Sequence, residues 1–368
     1  MTDLEAKKAL LSCPGDTIQE TIEELPMSQK ELAERMGRSI PKLNELIKGK
    51  ASITKETAIK LEYVLGIPSN FWLNLERHYQ DELLEIEKME FLASCKEWYK
   101  SFPIATMKKW GILPNTQKSE EPVTALLKFF RVASPTEWST IYKGSPSPLF
   151  KIELKHTTEP EAISAWLRVG ELQAEKLDLA HFEKEKIKER LDEIQHLCFR
   201  MPNDWLSQLQ QICAECGIAL VYTPCFLKAP IYGASRWIKS GSIPLIQLTD
   251  RRKDYGAFWF TFYHELAHIL LHGKKDIFID GLDEIKPDEA KEQEADVYAS
   301  KKLLTDKELA QITRHGSITT ELIKTMSEQL QKHEGILVSQ LQRKKLIPYK
   351  SLAFTKMKPK VEIKEVAL

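Results

Sequence analysis

The pentapeptide His264-Glu265-Leu266-Ala267-His268 carries residue types that can bind a metal and activate water. Residues four apart lie on one face of a helix, so both imidazoles can reach one cation from the same side. Neutral imidazoles suit zinc, and a carboxylate beside a metal-bound water acts as general base in hydrolysis. We expect Glu265 to take that catalytic role, because it is rotated by about 100° from the histidines along the helix.

The surrounding stretch has the pattern of a buried helix. Apolar residues recur three or four positions apart, at Phe258, Phe262, Leu266, Ile269 and Leu270. Gly273 is a suitable C-terminal stop. The two histidines are therefore expected on a helix that packs into a core.

A catalytic zinc needs a third protein ligand and an open position. His272 continues the four-residue spacing, but three such positions span about 12 Å along a helix axis, too far for one ion. A later helical stretch offers Glu292, with Asp296 four residues on to hold a ligand histidine through a hydrogen bond. Glu294 is the alternative third ligand, and the sequence leaves both open.

These residues resemble the ImmA/IrrE family of zinc metallopeptidases, over about residues 202–304. The likeness rests on FTFYHELAHILLHG and on a later E-x-x-A-D that is followed by SKKLL. The resemblance implies one zinc ion per chain, with His264, His268 and Glu292 as ligands and Glu265 as the catalytic acid and base. That family cleaves transcriptional repressors, and its domain is often joined to a helix-turn-helix.

The N-terminal part has the signals of such a helix-turn-helix. Ser28 is a suitable N-cap with Glu31 completing a capping box, and the helix should end at Gly37. Ser39 should cap the next helix, with Pro41 in its first turn. Two short helices joined by a glycine turn make a helix-turn-helix.

Residues 14–80 resemble the HigA-type antitoxin branch of the phage-repressor helix-turn-helix family. Basic residues outnumber acidic ones between Pro26 and Gly66, a local phosphate-binding feature. We expect phosphate contacts from Gln29, Lys30, Lys48 and Lys50, and base contacts from Ile40, Pro41, Lys42 and Glu45. Ile40 and Pro41 offer no hydrogen bonds and Glu45 is negative, so a dimerisation or substrate-docking role is the alternative.

Composition limits the class of protein. The 368 residues carry 53 basic and 53 acidic side chains, so there is no global field that would attract nucleic acid. Six scattered cysteines do not form a disulfide framework. The N-terminus lacks an apolar signal core, and no run approaches the roughly 18 uncharged apolar residues of a membrane span. We expect a cytoplasmic protein.

Three extended runs precede the histidine helix and predict a small antiparallel sheet. Zinc peptidases commonly hold peptide substrate against an edge strand. The stretch Ile231–Ile238 is the candidate edge, with Ile231, Tyr232 and Arg236 as substrate-strand residues. Tyr232, Arg236 and Tyr255 are candidates for stabilising the developing oxyanion.

The expected fold is multidomain and mainly α, with an all-α helix-turn-helix, a helical middle region and an α+β zincin-like metallopeptidase domain. The predicted ranges are a leader at 1–13, a helix-turn-helix at 14–67, a connecting helix at 68–100, a middle region at 101–200, the peptidase at 201–305, a helical subdomain at 306–353 and a tail at 354–368.

The main functional hypothesis is a zinc endopeptidase that cleaves a repressor or antitoxin-like protein, with DNA as a further partner and a homodimer as an expected assembly. The alternative is a HigA-like antitoxin or repressor whose zinc domain senses or binds a partner without proteolysis.

Overall fold

The computed structural model describes residues 3–115, 121–143, 157–226, 228–273, 278–280 and 288–363. The chain divides into two compact units, Met1–Lys96 and Glu97–Leu368. Together they are mainly α-helical with one small sheet, which confirms the predicted fold class. The predicted finer domain ranges stay predictions.

The described part of the N-terminal unit contains helices and no strand. They are α1 (Asp3–Leu10), α2 (Pro14–Glu24), α3 (Gln29–Met36), α4 (Ile40–Ile47), α5 (Lys55–Leu65) and α6 (Ser69–Ser94). The stretch expected as a leader thus includes α1, which is held to α6 by an ion pair of 3.0 Å between Lys7 and Glu85.

Local signals position the helix-turn-helix formed by α3 and α4. The Ser28 side chain accepts a hydrogen bond from the Glu31 backbone N–H, and Gly37 ends α3 in a left-handed conformation at φ 63°. The expected capping box is incomplete, because the Glu31 carboxylate pairs with Arg35. Ser39 stands at the N-cap of α4 but forms no side-chain cap hydrogen bond.

The start of α6 belongs to the same core as the helix-turn-helix. Trp72 is fully buried in the cluster that contains Leu32, Leu43 and Leu61. The Glu76 carboxylate accepts a hydrogen bond of 3.0 Å from the Ile53 backbone N–H. The helix expected to be a connection is therefore part of the N-terminal fold.

The second unit contains fourteen described helices and four described strands. The helices are α7 (Lys96–Lys100), which starts one residue before the unit, α8 (Ile104–Lys109), α9 (Glu121–Phe130), α10 (Pro135–Tyr142), α11 (Pro160–Ala174), α12 (Lys184–Glu189), α13 (Leu191–Arg200), α14 (Trp205–Glu215), α15 (Tyr255–Leu271), α16 (Glu289–Leu303), α17 (Asp306–Thr313), α18 (Thr320–Leu330), α19 (Glu334–Arg343) and α20 (Leu352–Lys356). The strands are β1 (Ala219–Tyr222), β2 (Gly233–Ile238), β3 (Ile243–Leu248) and β4 (Phe278–Asp280).

The sheet is mixed rather than purely antiparallel. Its order is β1-β3-β2-β4, with β1 parallel to β3 and the other pairs antiparallel. Gly233 of β2 pairs with Asp280 of β4, and Ser235 pairs with Phe278. The strand β2 is therefore flanked on both sides, and the expectation that Ile231–Ile238 is the sheet edge is wrong. Among the described strands, the edge on that side is β4.

The two faces of the sheet carry different helices. One face supports α15 with a core that includes Trp205, Ile246 and Phe262. On the other face, Ala234 joins an aromatic cluster with Trp138 and Trp166. Side chains alternate along a strand, so successive residues of β2 face opposite layers. The predicted middle region thus supplies one layer of this unit.

The C-terminal helices pack on α15 and on one another. Leu337 and Leu341 of α19 share a core with Leu304 and Ile323. The chain after α20 returns to the start of α15, where the Tyr255 N–H donates to the Pro359 carbonyl oxygen. Among the residues that the structure describes, no helix is both long and apolar enough to cross a membrane.

Candidate metal centre and helix-turn-helix surface

The helix α15 is apolar on nearly every side, and its few ionisable groups are buried with it. Its N-cap Asp254 accepts a hydrogen bond from the Ala257 backbone N–H. His264, Glu265 and His268 are 4%, 0% and 2% exposed. Burying such groups is costly unless each has a polar or ionic partner.

Three donor atoms converge from α15 and α16. The Nε2 atoms of His264 and His268 lie 3.0 Å apart. Glu292 places one carboxylate oxygen 3.1 Å from His264 Nε2 and the other 3.6 Å from His268 Nε2. Ligands of a tetrahedral zinc with bonds of 2.0–2.1 Å lie about 3.3 Å apart, so these donors fit such an ion.

Glu294, the alternative third ligand, lies elsewhere. Its carboxylate is 3.2 Å from His272 Nε2 and its side chain is largely exposed. The described geometry therefore favours Glu292 as the residue that could complete the metal site.

Each histidine of the pair is held by a second residue through Nδ1. His264 Nδ1 lies 3.1 Å from a carboxylate oxygen of Asp296, whose other oxygen accepts a hydrogen bond of 2.6 Å from Arg343. His268 Nδ1 lies 2.9 Å from His272 Nδ1. The Phe278 ring stacks on His268 at 3.7 Å between centroids. These contacts fix the ring orientations.

The hydrogen bond between His268 and His272 determines which ring nitrogen of each histidine carries a proton. A His268 whose Nε2 offers a lone pair to a cation carries its proton on Nδ1. That proton can be donated only to an unprotonated Nδ1 of His272. His272 then carries its own proton on Nε2, which donates to Glu294. His272 is thus a hydrogen-bond partner of a candidate ligand, His268. Sequence reasoning missed this contact although the four-residue spacing was a signal for it.

Glu265 has one carboxylate oxygen held and one free. Oε2 accepts a hydrogen bond of 2.6 Å from the Ser235 hydroxyl, and Oε1 is buried without a partner. A Cβ at Gly233 would lie 3.0 Å from Oε1 and 2.6 Å from the Thr261 methyl group. Glycine at this position therefore keeps the space beside the free oxygen open.

The electrostatics differ between these neighbouring groups. Burial opposes the charged form of His264, but hydrogen bonds with Asp296 and Glu292 raise its pKa to about 10. Burial and the charge on His264 lower the pKa of His268 to about 2. Burial raises the pKa of Glu265 to about 8, although His264 and Ser235 act in the opposite direction. Metal binding needs both imidazoles neutral, so a bound ion takes the place of the His264 proton.

Asp280 of β4 is a further carboxylate near this centre that sequence reasoning missed. Burial raises its pKa, against the charges of His264 and Arg252. Its strand lies next to β2 only through long-range pairing, for which the sequence carries no local signal.

The predicted substrate-strand and oxyanion residues lie mostly away from the donors. Ile231 is fully buried in the opposite layer. Arg236 is also buried there, where its guanidinium donates to the Leu167 carbonyl oxygen and to Gln247. Tyr255 donates to the Cys198 carbonyl oxygen. Tyr232 alone is half-exposed beside β4, so an oxyanion role for Arg236 and Tyr255 is wrong.

The predicted DNA contacts lie on the surface of α3, α4 and the turn after α4. Lys30, Ile40, Pro41, Lys42, Glu45, Lys48 and Lys50 are exposed. Gln29 is half-buried, and its amide donates to Gln19 at 2.7 Å. In the described ranges none of the four lysines forms an ion pair, so their charges are available to phosphates.

Comparison with known proteins bears on both units. The family model described as IrrE N-terminal-like domain matches residues 213–344, and a helix-turn-helix model matches residues 18–72. The uncharacterized HTH-type transcriptional regulator YddM of Escherichia coli (strain K12) is 43% identical over 75 residues, which are 20% of this chain and 78% of that protein. The chain belongs to the helix-turn-helix regulators and carries an IrrE N-terminal-like domain.

These matches confirm the expected fusion. The IrrE N-terminal-like domain contains α15, α16, α19 and all four strands, so every group of the candidate metal centre lies within it. The helix-turn-helix match reaches Trp72, in agreement with the inclusion of the first turn of α6 in the N-terminal core.

The two candidate third ligands can be separated by substitution. Glu292→Gln is expected to lower zinc affinity by more than about a hundredfold, because it replaces an anionic carboxylate ligand with a neutral amide oxygen. This loss exceeds the one usual for a residue that only holds a ligand in place. Glu294→Gln should cost at most about ten- to hundredfold. Competition with a fluorescent chelator measures both, and a larger loss in Glu294→Gln would contradict the assignment.

His272 offers a second test of the centre. His272→Leu removes the acceptor for His268 Nδ1 and is expected to weaken zinc binding about ten- to hundredfold. His272→Asn keeps an amide oxygen near the former Nδ1 position and should stay close to the wild-type affinity. His315→Leu, at an exposed histidine, is the control. Equal losses in the leucine and asparagine variants would show that the hydrogen bond is unimportant.

Proposed function

We propose that this protein is a zinc-dependent endopeptidase whose substrate is a transcriptional repressor or antitoxin-like protein, and that its helix-turn-helix binds DNA. The observation that carries the proposal is the convergence of His264, His268 and Glu292 beside the half-free carboxylate of Glu265. The match to the IrrE N-terminal-like domain adds independent support.

In this proposal His264, His268 and Glu292 hold the ion. When bound, zinc would polarise the scissile carbonyl and lower the pKa of a water molecule. Glu265 Oε1 takes a proton from the attacking water and passes it to the leaving amine. Ser235 keeps the other carboxylate oxygen in place, so Oε1 is the oxygen that is available to accept the proton.

Substrate would be held along β4 in this scheme. Its strand partner β2 lies on one side, no other described strand pairs with its other edge, and the Phe278 side chain stacks on His268. An extended peptide can add to such an edge by backbone hydrogen bonds. This arrangement replaces the expectation that β2 itself receives the substrate.

The choice of a regulatory protein as substrate rests on the joined domain. A chain that contains both a helix-turn-helix and a peptidase domain can bring hydrolysis to proteins bound at the same DNA. The similarity to an HTH-type transcriptional regulator supports this setting.

Removal of the proposed base is the direct test of hydrolysis. Glu265→Gln keeps the three donors, so it should retain equimolar zinc, while cleavage of a proteome-derived peptide library falls by at least about a hundredfold. Metal analysis and mass spectrometry provide the two measurements. Glu289→Gln, at an exposed acid of α16, is the control.

A non-proteolytic regulator would give the opposite result. If Glu265→Gln regulates transcription as the wild type does, and zinc-loaded wild type cleaves no library peptide, the protein is a non-proteolytic regulator whose zinc domain binds a partner.

DNA binding is tested through its salt dependence. The double variant Lys48→Ala/Lys50→Ala should weaken binding to duplex DNA of any sequence, because each lysine is expected to contact a phosphate. The slope of log K against log salt concentration should become shallower by about 2. Lys60→Ala is the control, since Lys60 pairs with Glu56 at 2.8 Å. An unchanged slope would remove these lysines from the interface.

A further inference from the structure

Two exposed arginines share one aromatic ring beside the candidate metal centre. The guanidinium carbons of Arg251 and Arg252 lie 4.8 Å and 4.1 Å from the centroid of the Tyr232 ring. Arg251 also donates to the Pro230 carbonyl oxygen. Contact with an aromatic ring orients a guanidinium and leaves its N–H groups free to bind a carboxylate. We refer to Tyr232, Arg251 and Arg252 as the basic subsite.

The nearby carboxylates are committed to other partners. Asp250 accepts hydrogen bonds from two backbone N–H groups, at 3.3 Å and 3.2 Å. Asp254 caps α15 and pairs with Lys358. Glu362 pairs with Lys253 at 3.5 Å. Within the described residues neither arginine of the basic subsite forms an ion pair. The Asp280 carboxyl lies near enough for the charge of Arg252 to act on it, and burial raises the pKa of that carboxyl.

The basic subsite adjoins the proposed catalytic carboxylate. Tyr232 and Arg252 line a depression together with Thr261. Thr261 lies one helical turn before Glu265, and both lie close to the position that a Cβ at Gly233 would take. Side chains one turn apart on a helix are about 6 Å from each other. The depression therefore joins Tyr232 and Arg252 to a residue that is one helical turn from Glu265.

The backbone places the subsite along the proposed substrate path. The Tyr232 N–H donates to the Asp280 carbonyl oxygen at 2.9 Å, so the subsite lies at the end of β4. The charge of Arg252 also acts on the Asp280 carboxyl. An extended peptide advances about 3.3 Å per residue. A side chain one or two residues from the scissile bond would reach the arginines.

We propose that the basic subsite binds a carboxylate of the peptide substrate, one or two residues from the bond that is cleaved. The inference rests on the proposed peptidase function and specifies its substrate as a peptide with an acidic group at that position. Either an Asp or Glu side chain or the C-terminal carboxylate supplies this chemistry, and the test separates the two.

Cleavage specificity is the first measurement. The zinc-loaded wild-type chain is given a proteome-derived peptide library, and cleaved bonds are mapped by mass spectrometry. Asp or Glu should be enriched at one fixed position. Arg252→Glu should reduce kcat/KM for an acidic peptide about ten- to hundredfold relative to its Lys counterpart, the effect expected from losing a charge-assisted hydrogen bond. Lys356→Glu, an exposed site with the same change in net charge, should behave as wild type.

Peptides with an amidated C-terminus identify the source of the carboxylate. Continued cleavage of amidated peptides that contain an internal acid assigns the subsite to a side chain. Loss of cleavage on amidation assigns it to the terminal carboxylate. Cleavage without an acidic preference, or a preference that Arg252→Glu leaves unchanged, would overturn the subsite while the peptidase proposal stands.

A binding measurement separates this inference from the function on which it rests. Zinc-loaded Glu265→Gln is titrated with a fluorescent acidic peptide and with its Gln counterpart. Tighter binding of the acidic peptide that is lost in Glu265→Gln/Arg252→Glu supports the subsite even if the wild type cleaves nothing. Equal binding of both peptides would refute it.

Discussion

Burial of ionisable side chains on α15 is the constraint on which the second unit depends. His264, Glu265 and His268 lie almost entirely out of water on a helix that is apolar around them. An unpaired charge in such a place costs several kcal/mol, so each group must find a partner from another element. The partners are Glu292 and Asp296 on α16 and Ser235 on β2. The centre is thus held by rigid elements rather than by loops.

The C-terminal helices belong to this support as much as α16 does. Arg343, near the end of α19, donates to the Asp296 oxygen that does not face His264, and its guanidinium lies 3.7 Å from the Phe260 ring centroid. A carboxylate held on both sides has little freedom to rotate. The orientation of His264 is therefore set by a residue almost eighty positions further along the chain, in the segment predicted only as a helical subdomain.

The parts of the site that could be predicted from the sequence are those that depend on the spacing of residues along a helix. The pairing of His264 with His268, and of Glu292 with Asp296, depends on four-residue spacing that is visible in the chain itself. The same spacing argued against His272 as a ligand, but it did not reveal the contact between the Nδ1 atoms of His272 and His268. Asp280 and Ser235 could not be found, because strand order and pairing are long-range properties. The error over the sheet edge has the same origin.

The register of β2 shows how strongly that long-range pairing decides the chemistry. Ser235 faces Glu265, while the next residue, Arg236, donates to the Leu167 carbonyl oxygen in the opposite layer. A slip of one residue would exchange the two faces. The arginine would then meet the Glu265 carboxylate, and the open space beside Gly233 would be filled. Pairing with β3 over six residues and with β4 over three fixes the register. The sheet thereby determines which oxygen of Glu265 is held by Ser235 and which has no partner among the described residues.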